Sequence, residues 1–159
     1  MAIEIERKFL VINDLWKDHV ISKSHLKQGY LATQKNATVR VRVAKGRAVL
    51  NIKSETVGIQ RSEFEYDIPM EDAELMLVKL AEQPIIEKTR YKVQSGDHVW
   101  DLDEFNGQNH GLVMAEIELL SEDETFIMPE WVGMEVSADP RYYNSNLIKH
   151  PFSRWRNVG

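Results

Sequence analysis

Apolar and polar residues alternate with a period of two along most of the chain. The alternation runs through "IEIERKFL", "TVRVRV", "AVLNIK", "SEFEYDI", "EKTRYKV", "WDLDEF" and "AEIEL", with "HLKQGYLA" a weaker strand. Turn formers separate the runs: Gly46 in "AKGRA", Ser95-Gly96-Asp97, and Asn106-Gly107 with Gly111. Gaps this short join antiparallel neighbours, because parallel strands need long crossovers. The period turns helical in two places. "MEDAELMLVKLAEQ" follows Pro69 and has acids in its first turn; "DPRYYNSNLIKHP" has Asp139 as a cap, Pro140 in its first turn and Pro151 as a stop. "NDLWKDHVISK" and "SEDETFIM" read as shorter helical pieces, and "WVGMEVS" as a last sheet-like run. No linker or repeat interrupts residues 1–159. The pattern predicts a single α+β, mainly β domain, with about eight antiparallel strands and peripheral helices.

The polar faces of these strands sort their charges by sign. Residues i and i+2 share a face at roughly 6.5–7 Å, and like charges side by side are unfavourable. The pairs are nevertheless Glu4/Glu6, Arg40/Arg42, Glu63/Glu65, Lys88/Arg90, Asp101/Asp103 and Glu116/Glu118. An ordinary solvated face mixes signs. Closure explains the sorting better, since about eight strands can form a barrel whose interior holds one small ligand. With the charged faces inward, the apolar faces point outward and need helices as cover. Inside such a tunnel a metal-loaded polyphosphate satisfies both sets, because carboxylates bind hard divalent cations and Arg and Lys bind phosphate oxygens. Glu4 and Glu6 are then metal-ligand candidates and Lys8 a phosphate contact.

Composition narrows the picture. The net charge of −5 gives no overall basic field to draw nucleic acid or an anionic membrane. With no cysteine, disulfides, thiolate catalysis and Cys-ligated metals are excluded. No secretory signal pattern and no apolar run near the ~20 residues of a membrane span is present, so a cytoplasmic protein is expected. The five histidines lack metal-ligand spacing, and no P-loop occurs. A homodimer is left open.

The ordered set Glu4-x-Glu6-x-Lys8, Arg40-x-Arg42, Lys53, Glu63-x-Glu65, Lys88-x-Arg90 and Glu116-x-Glu118 resembles the signature of the CYTH superfamily, the triphosphate tunnel metalloenzymes. The likeness extends through "DPRYYNSNL" and covers essentially the whole chain. It implies a closed eight-stranded antiparallel tunnel acting on triphosphates with Mg²⁺ or Mn²⁺. It implies further that Glu4, Glu6 and Glu118 hold the metal with Glu116 beside them, Asp101 being a less secure ligand. Lys8, Arg40, Arg42, Lys53, Lys88 and Arg90 would line the substrate path. Catalytic roles would fall to Glu63 and Glu65, near a second metal or the attacking water, and to Lys8, Arg42 and Lys88. One departure is visible: some relatives carry a lysine where this chain has Ile86. The expected activity is metal-dependent hydrolysis of inorganic tripolyphosphate. The alternatives are a class IV-type adenylate cyclase, a thiamine or nucleoside triphosphatase, and a non-catalytic polyphosphate-binding module. The segment from Pro140 to His150 is expected either to close one tunnel end, favouring short substrates, or to cover the barrel's apolar outside.

Overall fold

The computed structural model describes residues 3–155. Its strands are β1 (Ile3–Val11), β2 (Val20–Thr33), β3 (Ala37–Ala44), β4 (Arg47–Ser54), β5 (Gln60–Ile68), β6 (Ile86–Ser95), β7 (His98–Phe105), β8 (Val113–Glu118) and β9 (Val132–Glu135). The α-helices are α1 (Met70–Lys79) and α2 (Asn144–Lys149). All strand pairings are antiparallel, and eight strands close a barrel in the order β1-β8-β7-β6-β2-β3-β4-β5 and back to β1. The seam is short. One edge of β1 pairs with β5 only over Ile3–Ile5, then turns to β9 over Phe9–Val11. Its other edge pairs with β8 from Glu6 to Leu10.

The predicted inside-out arrangement is present. Buried Glu4, Lys8, Arg40, Asn51, Lys53 and Asp103 lie within the barrel, while the alternate positions form apolar clusters on its outer wall. One cluster joins Phe9, Trp100, Leu102 and Ile117 to Trp16, Trp131 and Phe126. Full burial of each large side chain contributes ~1.5–3 kcal/mol. Its aromatic rings meet edge to face, Phe9–Trp100 at 5.6 Å and Trp100–Trp131 at 5.5 Å. A second outer cluster packs α1, through Ala73 and Leu77, on Val41 and Ala48. Gly29 permits that close approach, because a Cβ there would lie 2.7 Å from Ala81 Cβ.

Several local expectations are corrected. The covers are not all helical: the Trp100 cluster is covered by a 3₁₀ turn at Leu15–His19 and by the loop carrying Phe126 and Trp131. "SEDETFIM" forms no helix, since Glu124 instead accepts a hydrogen bond from Leu120 N at 2.6 Å and contacts His98 Nε2 at 2.6 Å, tying the loop to β7. "NDLWKDHVISK" is helical only in the 3₁₀ turn, and β2 begins at Val20. The weak strand "HLKQGYLA" belongs to the 14-residue β2. α1 ends at Lys79, beyond which Gln83 Nε2 donates to the Leu77 carbonyl at 2.8 Å. "DPRYYNSNLIKHP" divides into a 3₁₀ turn at Pro140–Tyr142, with Asp139 accepting from Arg141 N, and the short α2. "WVGMEVS" supplies β9, a ninth strand outside the closed barrel.

The C-terminal segment packs on apolar residues of the inward strand faces. Strand alternation puts Ile86 on the face of Lys88 and Arg90, Phe105 on that of Asp101 and Asp103, and Met114 on that of Glu116. These three inward residues form an apolar cluster with Tyr142, Leu147 and Ile148. Its position follows from the sequence parity of the strands, and its cover from the buried side of α2.

Candidate active site

A cavity of about 620 Å³ runs through the charged interior. The sequence candidates Glu4, Glu6, Glu116, Glu118 and Asp101 line it from β1, β8 and β7; Lys8, Arg40, Arg42, Lys53 and Arg90 line it as cations; Glu63 and Glu65 line it from β5. Register explains the convergence. Thr38, Lys53 and Glu63 form one row across β3, β4 and β5, and Arg40, Asn51 and Glu65 form the next. Across β8 and β1, Glu118 lies opposite Glu6 and Glu116 opposite Lys8.

The acids divide into two groups. Glu4 takes Arg61 Nε at 3.1 Å and Lys53 Nζ at 3.4 Å. Burial pushes its carboxyl up, but these cations outweigh burial and hold it below the ordinary value. Glu6 behaves oppositely: burial, then the Glu116 and Glu4 charges, push it up to about 8. Burial with the charges of Glu4 and Glu63 also raises Glu118. Burial pushes Glu116 up as well, but Lys8, Arg90 and Lys88 overcome it and hold that carboxyl well down. A hard divalent cation suits this all-oxygen donor set and would relieve the repulsion that Glu4 exerts on both Glu6 and Glu118. No cluster of three acids is preassembled among the described residues. Arg61, bridging Glu4 at 3.1 Å and Glu6 at 3.5 Å, supplies positive charge there instead.

Lys53, Arg42, Lys8 and Arg90 are each tethered to a carboxylate. Lys53 lies 3.0 Å from Glu63, Arg42 3.4 Å from Glu65, and Lys8 3.8 Å from Glu116. Arg90 grips Asp103 through two hydrogen bonds of 2.8 and 2.9 Å. Asp103 is thereby held down to about 2: its burial is outweighed by Arg90 and Lys88. Lys88 is the sequence candidate that does not line the cavity. It is fully buried, its Nζ 2.7 Å from Asp103 Oδ2 but outside hydrogen-bond alignment, and 5.2 Å from the centre of the Phe105 ring. Burial, with Arg90 repulsion, brings its ammonium down to about 8 despite Asp103.

Sequence reasoning passed over Arg61, Lys92 and Tyr30, all on the cavity wall. Parity could have found two of them. Arg61 shares the face of Glu63 and Glu65, and Lys92 that of Lys88 and Arg90. Tyr30 lay in the strand of weakest alternation. Ser137, Tyr143, Asn144 and Ser145 reach the cavity through tertiary placement alone.

Fold and site together define a class: antiparallel β-tunnel proteins that turn their charged side chains inward around one cavity. The chain belongs to the CYTH domain family, whose model matches residues 2–146. It is 46% identical over 157 residues to an inorganic triphosphatase of Acetivibrio thermocellus, covering 98% of this chain and 99% of that one. It is 39% identical over 148 residues to an inorganic triphosphatase of Nitrosomonas europaea, with 91% and 95% covered. The crystal structure of the inorganic triphosphatase NE1496 superposes with a TM-score of 0.68 at 37% identity, covering 93% of this chain and 95% of that one. No described helix is long and apolar enough to cross a membrane.

Proposed function

We propose that this chain hydrolyses inorganic tripolyphosphate with the help of Mg²⁺ or Mn²⁺, water attacking a terminal phosphorus and orthophosphate and pyrophosphate leaving. The observation that supports this most is the meeting, in one cavity, of Arg and Lys side chains from β3, β4 and β6 with carboxylates from β1 and β8. Phosphoryl transfer asks chiefly for positioning and charge neutralisation, which opposed arrays of this kind supply. The full-length likeness to two inorganic triphosphatases supports the same reading.

Arg40, Arg42, Lys53 and Arg90 hold the phosphate chain, and Lys8 meets it where β1 faces β8. Glu4, Glu6 and Glu118 hold the divalent cation, with Glu116 beside them and Asp101 at the margin. When bound, that ion neutralises non-bridging oxygens and acidifies water. Glu63 or Glu65 orients the attacking water: Glu63 is held by Lys53 Nζ at 3.0 Å, and Glu65 takes Asn51 Nδ2 at 2.9 Å and Arg42 Nη2 at 3.4 Å. The apolar plug of Ile86, Phe105 and Met114 under α2 favours short phosphate chains.

A product assay with tripolyphosphate, ATP, thiamine triphosphate and long polyphosphate, in Mg²⁺ or Mn²⁺ and in EDTA, tests the reading. Orthophosphate release is expected to be fastest from tripolyphosphate and abolished by EDTA. Glu118→Gln keeps the fold and loses most turnover, since a neutral amide is a poorer cation ligand. Equal rates on all substrates, or full activity in EDTA, would overturn it.

A further inference from the structure

Asn51 is fully buried inside the barrel, 0% exposed, yet it is neither an acid nor a cation. It occupies the centre of a three-strand row, with Arg40 opposite on β3 and Glu65 opposite on β5. Its amide joins the two: Arg40 Nη2 donates to Asn51 Oδ1 at 3.2 Å, and Asn51 Nδ2 donates to Glu65 Oε2 at 2.9 Å. Arg40 differs from every other buried or half-buried cation on the cavity wall. Arg42, Lys53, Arg61, Arg90 and Lys8 each have a carboxylate within 4.0 Å; Arg40 has none among the described residues. It is only 7% exposed, and its Nε is buried without a hydrogen-bond partner among the described residues. A buried guanidinium that is neither neutralised nor fully hydrogen-bonded is costly, and an incoming anion relieves that cost.

We propose that Asn51 is a positioning and specificity residue that keeps Arg40 unpaired for the substrate's phosphate oxygens. The inference rests on the triphosphate reading of the cavity. Asn51 presents a neutral acceptor to Arg40, which orients the guanidinium without cancelling its charge. Its donor side holds Glu65, the carboxylate next in the row. A carboxylate at position 51 would compete with phosphate for the same guanidinium.

Asn51→Asp keeps the side-chain shape and tests the idea. The expected result is a KM for tripolyphosphate raised about tenfold, with kcat reduced much less, because phosphate must then compete for one charge-assisted partner. The same substitution in an Arg40→Ala background should raise KM much less than in the wild type, because the part that acts through the guanidinium is gone and only the contact of position 51 with Glu65 is still changed. An unchanged KM in a folded Asn51→Asp protein, or full additivity with Arg40→Ala, would overturn the proposal. Thermal stabilisation by sodium tripolyphosphate in EDTA provides a readout independent of turnover. If the wild type binds tripolyphosphate without hydrolysing it, the activity reading fails, while a smaller stabilisation of Asn51→Asp still supports the role of Asn51. If neither turnover nor stabilisation occurs in the wild type, both fall. Should Asn51→Asp not fold, Asn51→Ser withdraws the amide without adding charge. Its weaker binding must again shrink in the Arg40→Ala background, and unaltered binding would count against the idea.

Discussion

Two cationic pairs, Arg40/Arg42 and Lys88/Arg90, look alike in sequence, each at i and i+2 on one strand. The barrel treats them differently. Arg40 and Arg42 both line the cavity; Arg40 has no carboxylate within 4.0 Å among the described residues, and Arg42's partner Glu65 is shared with Arg47 and Asn51. Only Arg90 of the second pair lines it; Lys88 lies where the charged interior meets the apolar plug, against Asp103 and Phe105. Asp103 thus serves two cations, and the second pair is largely neutralised by the protein itself. Strand parity therefore assigns a face, while depth along the barrel decides whether a charge meets substrate or scaffold.

The largest effect should come from breaking the scaffolded pair. Asp103→Ala strands Lys88 in the interior and leaves Arg90 with only Asp101 at 3.6 Å, and losing one partner of a buried pair costs about 3–5 kcal/mol. Urea unfolding would measure it. Lys88→Met should cost less, because Arg90 keeps its two-bonded partner and Met fills a similar volume. If Asp103→Ala were no more harmful than an average surface change, the contrast between the pairs would collapse.

Arg42 should show the reverse balance. Its contact with Glu65 is partly exposed, 23% and 33% for the two side chains, so its loss costs the unliganded protein only about 0–1 kcal/mol. Tripolyphosphate binding should nonetheless fall by about tenfold or more, since a charge-assisted phosphate contact is removed. Arg42→Lys recovers only part, because the planar fork is lost. A large stability loss with unchanged ligand-induced stabilisation would make Arg42 a scaffold residue as well.

A smaller effect concerns pH. Glu6 is pushed from an ordinary 4.5 up to about 8 in the folded chain. Between those values the folded state holds a proton that the unfolded state has released, so stability falls as pH rises through this window. Below it both states are protonated, and above it the full penalty stands. Metal-free protein should therefore lose stability between about pH 5 and 8, with Glu6→Gln flattening the slope. An equal slope in that variant would assign it to other groups. Added Mg²⁺ should reduce the slope by removing the repulsion among Glu6, Glu4 and Glu116.

Much of this was legible in the sequence because strand parity is robust. The alternating runs specified which residues face inward, and twelve of the thirteen candidate site residues line the cavity. Lys88 is the exception, because it sits too deep, at the border of the plug. The covers of the outer wall were harder to read. Phe126 and Trp131 reach the Trp100 cluster from a loop without helical or strand periodicity, so no local pattern announces them. The plug was equally hidden. Ile86, Phe105 and Met114 continue the inward face, but their apolar side chains look like the ends of strands until α2 is seen to pack on them. Ile86, standing where some relatives of the resembled family have lysine, is 1% exposed in this plug, where a charge would lack an evident partner.

The divided edge of β1 sets the order in which the tunnel can be made. β1 comes first in the chain, yet its partners β5, β8 and β9 come progressively later, and Lys8 N reaches Ser137 Oγ across 129 residues. During synthesis the strands from β2 to β5 can pair as consecutive hairpins, with short loops to close and little entropy lost at each step. β1 must wait for β8 before it can close the ring. Such distant pairings slow folding. Pairs within consecutive hairpins, Lys53–Glu63 and Arg90–Asp103, need no closure, whereas Glu4 with Lys53 and Arg61, and Lys8 with Glu116, are completed only when β1 docks. The seam therefore separates charge pairs made by neighbours in the chain from those that depend on its two ends meeting.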